Sequence, residues 1–192
     1  MALFNSAYSA LTFAYNFNGT NVVTATMGLP PAGGNGKGLG GLDGAAEAGN
    51  IQRIVKEFGE VSEALMVARF APPRLPCSCH RPCCCGWTPN LEWKRAVRIV
   101  AEDVRYTCFN GGGDVIYRTE IASQYFLKDQ ERDAIEGIAA RCHMPRASAY
   151  RHLKSIIAMY RGTRSKKGIE QVVLEALDVE FRNRGIVGET DE

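Results

Sequence analysis

No run of about 18 consecutive apolar residues occurs in this 192-residue chain, so the sequence offers no membrane-spanning helix. No Lys or Arg precedes Lys37, so the positively charged start of an export signal is missing as well. Neither charge is in excess: 23 Lys and Arg face 21 Asp and Glu, a formal net charge of +2. As an average, that balance points neither to nucleic acid nor to a membrane surface. With 45% apolar and 23% charged residues the composition is that of a chain with a core, which argues against wholesale disorder. At this length the chain is one domain, or one domain with appendages, and it can bury a core without covalent staples.

Further absences narrow the function. The stretch Pro31 to Gly38 reads PAGGNGKG, but Pro31 stands where a phosphate-binding loop needs Gly and Gly38 where it needs Ser or Thr. Nucleotide binding is therefore not expected. Disulfide spacing is lacking too. Of 7 cysteines, Cys77, Cys79, Cys83, Cys84 and Cys85 crowd into one short segment, where neighbours are poor partners for regular bridges. With no export signal, a reducing, cytoplasmic compartment is expected and no membrane partner. No activating base marks a thiol as a nucleophile, and no Ser, Tyr or carboxylate constellation stands out in residues 1–130. The chain is not expected to be an enzyme.

What is present is helical periodicity. Ile51, Ile54, Val55, Phe58, Val61 and Leu65 recur at three- and four-residue spacing and predict an amphipathic helix over 45–70, stopped by Pro72 and Pro73. Asn90 is placed to cap a helix reaching about Phe109, with Trp93, Val97, Val100 and Val104 inward. Gly111, Gly112 and Gly113 break the chain before a helix near 115–126. Asp129 is placed to cap a helix over 130–142, and two more follow over 146–161 and 166–184. Phe4, Tyr8, Phe13, Tyr15 and Phe17 lie among polar residues and read either as a short helix at 5–15 or as an arm that orders on a partner. No convincing alternating strand and no internal repeat is found. The expectation is an all-α fold, a small helical domain with a sigma-like helix-turn-helix near its C-terminus and long Gly- and Pro-rich loops. Residues 1–44 read as an N-terminal arm and Gly-rich linker. Residues 45–128 read as a helical region holding the cysteine-rich loop 75–87, 129–184 as the helix-turn-helix DNA-binding region with a C-terminal helix, and 185–192 as an acidic tail.

The most informative stretch is Ile138 to Lys154, IAARCHMPRASAYRHLK. A DNA-reading helix-turn-helix needs a small residue where its helices cross, and Ala139 supplies it. The turn needs a residue tolerant of positive φ, and His143 falls there. Met144 fits as the apolar plug, and Pro145 is favourable at a first helical position. Ala149, Leu153, Ile156 and Ile157 then face inward. The opposite face carries Arg146, Ala147, Tyr150, Arg151 and Lys154, flanked by Ser148 and His152, and these side chains would reach base edges and phosphates in a major groove. The competing reading is an ordinary helical hairpin with a cationic face.

Charge distribution favours the DNA reading. No Asp or Glu lies between Glu136 and Glu170, while Arg141, Arg146, Arg151, Lys154, Arg161, Arg164, Lys166 and Lys167 all do. A one-sign block is the footprint of a phosphate partner. Arg161 to Lys167 extend past the reading helix and are expected to touch DNA backbone. The near-neutral total is thus two opposite fields on one small protein.

The segment CSCHRPCCCGW supports three readings. Soft thiolates at this density suit zinc, with Cys77, Cys79, Cys83 and Cys84 as candidate ligands and Cys108, Cys142 or His143 as a distant completion. The spacing is not that of a paired zinc ribbon, so a metal-free cysteine loop and a catalytic thiol stand beside it. Cys108 and Cys142 otherwise read as plain core.

Taken together, LPCSCHRPCCCGW at 75–87, TPNLEW at 88–93 and ERDAIEGIAARCHMPRASAYRHL at 131–153 resemble the phage Q-type transcription antitermination factors, including prophage-related regulators of lysis cassettes. The likeness covers roughly residues 45–160. The paired C-x-x-C finger of the lambda Q protein is not reproduced, so its metal site is not carried over. The resemblance implies a factor that binds a double-stranded DNA element near a promoter. It would load onto bacterial RNA polymerase paused just downstream, with or without contact to the sigma factor, and let it read through terminators. Arg146, Tyr150 and Arg151 would read the element, and the N-terminal arm and the 45–70 helix would be candidates for polymerase contact. Two alternatives share the helix-turn-helix: a conventional activator or repressor acting at the promoter, and the DNA-binding part of a recombinase or transposase system.

Overall fold

The computed structural model describes residues 3–17, 41–77, 79 and 85–188. The fold is all-α apart from one two-stranded hairpin. In chain order its elements are α1 (Ala7–Asn16), α2 (Gly41–Glu57), α3 (Glu60–Phe70), β1 (Arg74–Pro76), β2 (Trp87–Pro89), α4 (Leu91–Asp103), α5 (Arg105–Phe109), α6 (Val115–Phe126), α7 (Ile135–Arg141), α8 (Arg146–Tyr160) and α9 (Ile169–Asn183). The chain forms two compact units, one of Met1–Ser62 with Val172–Glu192 and one of Glu63–Gln171, and it passes between them within α3 and within α9.

Local sequence explains three of the helix starts. The Asn90 side chain accepts from the amides of Glu92 and Trp93, and the Asp114 carboxylate accepts from the Tyr117 amide at 2.7 Å. Ser6 and Ser9 close a reciprocal cap on α1. Four expectations needed revision. The helix expected to reach about Phe109 ends at Asp103, and α5 follows it separately after Val104. The helix expected over 45–70 is two helices, because Gly59 adopts φ +93 between them. The helix expected from 130 starts at Ile135. Asp129 instead pairs with Arg132 at 2.8 Å in a 3-10 turn, and the buried Gln124 takes the Asp133 amide at 3.0 Å, which holds the backbone out of helical register. Where no strand was expected, β1 and β2 pair antiparallel with Leu75 opposite Thr88, and the Cys77 amide closes onto the Gly86 carbonyl at 2.8 Å. The hairpin thereby cinches the base of the cysteine segment.

In the first unit α1 packs on α2, and Leu11, Ile51, Ile54, Val55, Leu177 and Phe181 are buried. The segments around Phe4 and Ile186 meet there. The Phe4 amide donates to Ile186 at 3.1 Å, the Gly188 amide donates to Phe4 at 2.9 Å, and the Asp178 carboxylate accepts from the Ala7 amide at 2.9 Å. Phe4 is buried against Phe13, with ring centroids 5.2 Å apart, while Tyr8 points to solvent. Arg184 bridges Glu57 at 2.7 Å and Glu180 at 2.6 Å.

In the second unit α6 is the central helix, packed on α4, α7 and α8. Trp93 anchors α4 by donating its indole N–H to the Ala68 carbonyl at 3.0 Å. Arg118, almost wholly buried, pairs with Glu102 at 2.6 Å, joining α6 to α4. A second buried charge closes the unit. Glu170 takes both arms of the Arg69 guanidinium, Nε to Oε1 at 2.6 Å and Nη2 to Oε2 at 2.8 Å, and also accepts from the Tyr125 hydroxyl. Burial, first, and then the Glu170 carboxylate push the Tyr125 hydroxyl well above its ordinary range, so it remains the proton donor.

Removing Glu170 takes the carboxylate acceptor from the half-buried Arg69 guanidinium and the buried Tyr125 hydroxyl. Glu170→Ala is expected to lower stability by about 2–3 kcal/mol in urea denaturation. Arg69→Met with Glu170→Leu is expected to recover much of that loss, because the uncompensated charge goes with it. A loss in Glu170→Ala within experimental error of zero would show the pair to be dispensable.

Candidate nucleic-acid interface

Helices α7 and α8 form a helix-turn-helix held by its own backbone. The Met144 amide reaches back to the Ala139 carbonyl at 2.8 Å and the His143 amide to Ala140 at 3.3 Å, the paired bonds of a Schellman ending. That ending requires a left-handed residue, and His143 sits at φ +52. Pro145 is the N-cap of α8 and Arg146 its first residue; with no side-chain cap, the Pro145 carbonyl takes the Ser148 amide at 3.0 Å. Helix α6 lies against both and completes a three-helix support.

The outer surface of α8 is a stripe of Ala147, Tyr150, Arg151 and Lys154, all exposed, continuing to the exposed Arg161. Arg146 is exposed beside it, and Ser148 is half-buried with its hydroxyl accepting from Arg151 at 3.1 Å. Immediately beyond, Arg164, Lys166 and Lys167 are exposed on a tight turn in which Thr163 and Lys166 exchange backbone bonds. Gly162 at φ +88 makes that turn, and a Cβ on Gly168 would stand 2.0 Å from the Tyr160 carbonyl oxygen, so no larger residue fits there.

His152 corrects the expectation that it flanks the reading face. It is buried, with its Nδ1 2.7 Å from the Tyr117 hydroxyl and its ring 4.9 Å from that of Phe109. It therefore cannot enter a groove. Burial, and secondarily Arg151, lower the His152 pKa, while burial pushes Tyr117 up to about 12. A neutral imidazole thus shares a hydrogen bond with a protonated phenol. Spacing carried the signal: His152 lies three residues after the buried Ala149 and four before the buried Ile156, inside the apolar stripe that Tyr160 continues. Of the residues expected to face inward, Ala149 and Ile156 are buried and Leu153 and Ile157 half-buried.

Arg141 and Arg146 have carboxylate partners from outside the acid-free window. Arg141 pairs with Glu120 and Asp133, each at 2.9 Å. Arg146 pairs with Glu136 at 2.6 Å, and the Tyr150 hydroxyl donates to the same carboxylate at 2.8 Å. The sequence marked Glu136 only as the edge of the window; neither pairing follows from spacing along the chain.

The cysteine segment carries less. Cys83 and Cys84 lie outside the described residues, Cys77 is half-buried, and Cys79 and Cys85 are exposed. Among the described residues no group of three or more His, Cys, Asp or Glu side chains is arranged to hold a metal ion. Cys108 is buried with its Sγ 3.8 Å from the Met159 sulfur, as core packing requires, and Cys142 is half-buried. No helix among the described residues is long and apolar enough to cross a membrane. Comparison with protein-family models, with curated proteins and with solved structures returns no match.

The His152–Tyr117 pair has a pH signature. Because the folded state lowers the His152 pKa, below about pH 6.5 the unfolded chain takes up a proton that the native imidazole refuses. Its contribution is complete above that pH and declines as pH falls through it. Melting temperatures at pH 7.5 and 5.5 are expected to differ more for the wild type than for His152→Gln. An equal drop in both proteins would show that His152 does not titrate with unfolding.

Proposed function

We propose that this protein binds double-stranded DNA sequence-specifically through α8 and acts as a transcription antitermination factor on promoter-proximal RNA polymerase. The observation that carries the DNA-binding reading is the turn Arg141–Pro145. It presents α8 with its apolar stripe buried and a cationic, tyrosine-bearing stripe outward, the presentation that major-groove reading requires. Arg151 and Arg146 are suited to guanine edges, Ala147 to a thymine methyl, and Lys154 to phosphate. The basic turn at 162–167 adds affinity that ignores sequence. The antitermination part rests on the resemblance of the cysteine segment, the TPNLEW start of α4 and the helix-turn-helix to phage Q-type factors. A conventional promoter-bound activator or repressor is the second reading, supported by the same helix-turn-helix.

On a template with the binding element upstream of an intrinsic terminator, purified protein is expected to raise readthrough only when the element is present. Altered initiation with background readthrough would favour the second reading. For the interface, Arg151→Ala is expected to weaken cognate DNA by about 1–3 kcal/mol and random DNA far less. Lys166→Ala is expected to weaken both alike and to reduce the salt slope by about 1. Gel-shift titrations at several salt concentrations separate the two; equal effects on cognate and random DNA would displace α8 as the reading helix.

A further inference from the structure

The DNA-binding reading takes the exposed cations of α8 as available to DNA, yet the two groups nearest its start are already engaged. Glu136, in the first turn of α7, offers one carboxylate oxygen, Oε1, to both. It accepts from Arg146 Nη2 at 2.6 Å and from the Tyr150 hydroxyl at 2.8 Å. The Arg146 guanidinium also lies over the Tyr150 ring, 5.6 Å from its centroid. An anionic oxygen held by a guanidinium and a hydroxyl is the arrangement that a DNA phosphate oxygen receives from the same side-chain types. The trio is open to solvent, with the Arg146 and Glu136 side chains 69% and 42% exposed, so an incoming anion can compete for it.

We infer that Glu136 is an intramolecular counter-anion that occupies Arg146 and Tyr150 in the free protein and must be displaced before either engages DNA. The inference rests on the DNA-binding reading and goes beyond it, because it names a residue that sets specificity and does so by opposing binding. The carboxylate is available for this at neutral pH. Its own backbone amide, then Tyr150 and Arg146, hold its pKa below the ordinary glutamate range. On unrelated DNA, Arg146 exchanges one anion for another and gains little. On a matched site, the base-edge hydrogen bonds of the neighbouring Arg151 add to the exchange and tip it. The carboxylate therefore suppresses non-specific binding more than specific binding, a repulsive element of the kind that discrimination requires.

The test uses full-length protein and three changes at exposed positions, Glu136→Gln, Arg146→Ala and the double substitution, with a random-sequence duplex titrated over a salt series. Glu136→Gln is expected to tighten random-duplex binding about threefold to fivefold, the range of an exposed ion pair. It is also expected to steepen the slope of log affinity against log salt by about 0.9, one added phosphate contact. In the Arg146→Ala background the same change is expected to do neither, because the cation it would release is gone. Equal tightening in both backgrounds would reduce Glu136 to one more negative charge near DNA and overturn the inference. No change in either background would overturn it as well, while leaving DNA binding intact. If neither the wild type nor any variant binds duplex DNA at low salt, the DNA-binding reading fails and takes the inference with it.

Discussion

A carboxylate that is buried must bring its cation with it, and Glu170 organises the second unit on those terms. Its two oxygens are taken by Arg69 at the end of α3 and by Tyr125 near the end of α6, while Glu170 itself opens α9. Three segments far apart in the chain are thus bound to one point, with the geometry dictated by a bidentate guanidinium. The Arg69 guanidinium also stands 5.1 Å from the centroid of the Tyr125 ring, which leaves little freedom for that end of α6. Both helices of the candidate interface lean on α6. Its Tyr117 holds His152 of α8, its Gln124 holds the chain entering α7, and its Glu120 holds Arg141 at the end of α7.

The helix-turn-helix is consequently a supported element and not a free hairpin. Its turn closes by backbone bonds alone, and polar contacts from α6 set where α7 begins and how α8 is rotated. Rotation decides which residues face outward. Because His152 is inside, the outer stripe is narrower than a charge count implies and consists of Ala147, Tyr150, Arg151 and Lys154, with Arg146 at its head. The electrostatics are narrower too. Acid-free sequence between Glu136 and Glu170 does not make an acid-free surface, because Glu120, Asp133 and Glu136 come from elements that fold back against Arg141 and Arg146.

Much of this fold was legible in the chain. The all-α class, the helix start at Asn90, the helix near 115–126, the two-helix motif and the left-handed His143 all follow from short-range rules of capping, periodicity and tolerance of positive φ. What misled was local evidence that distant partners overrode. Asp129 has the chemistry of a cap but spends it on Arg132, and the Gln124 side chain sets the true start of α7. Three-residue strands are too short to show alternation, so the β1–β2 hairpin left no pattern to read. Gly59 was visible, yet apolar spacing ran through it, and only its φ of +93 shows that the helix breaks. His152 was misassigned because its polarity outweighed its position on the buried stripe.

The amino-acid sequence by itself determined the helical class, the turn between α7 and α8, and which cations stand on α8, because these depend on residues within a few positions of one another. Only the tertiary structure decided which of those cations carry a counter-charge, that His152 faces a phenol and not a groove, and that Phe4 meets Ile186 and Gly188. Each of these is a pairing across 10 to 184 residues of chain, set by which surfaces a packed core brings within hydrogen-bond reach.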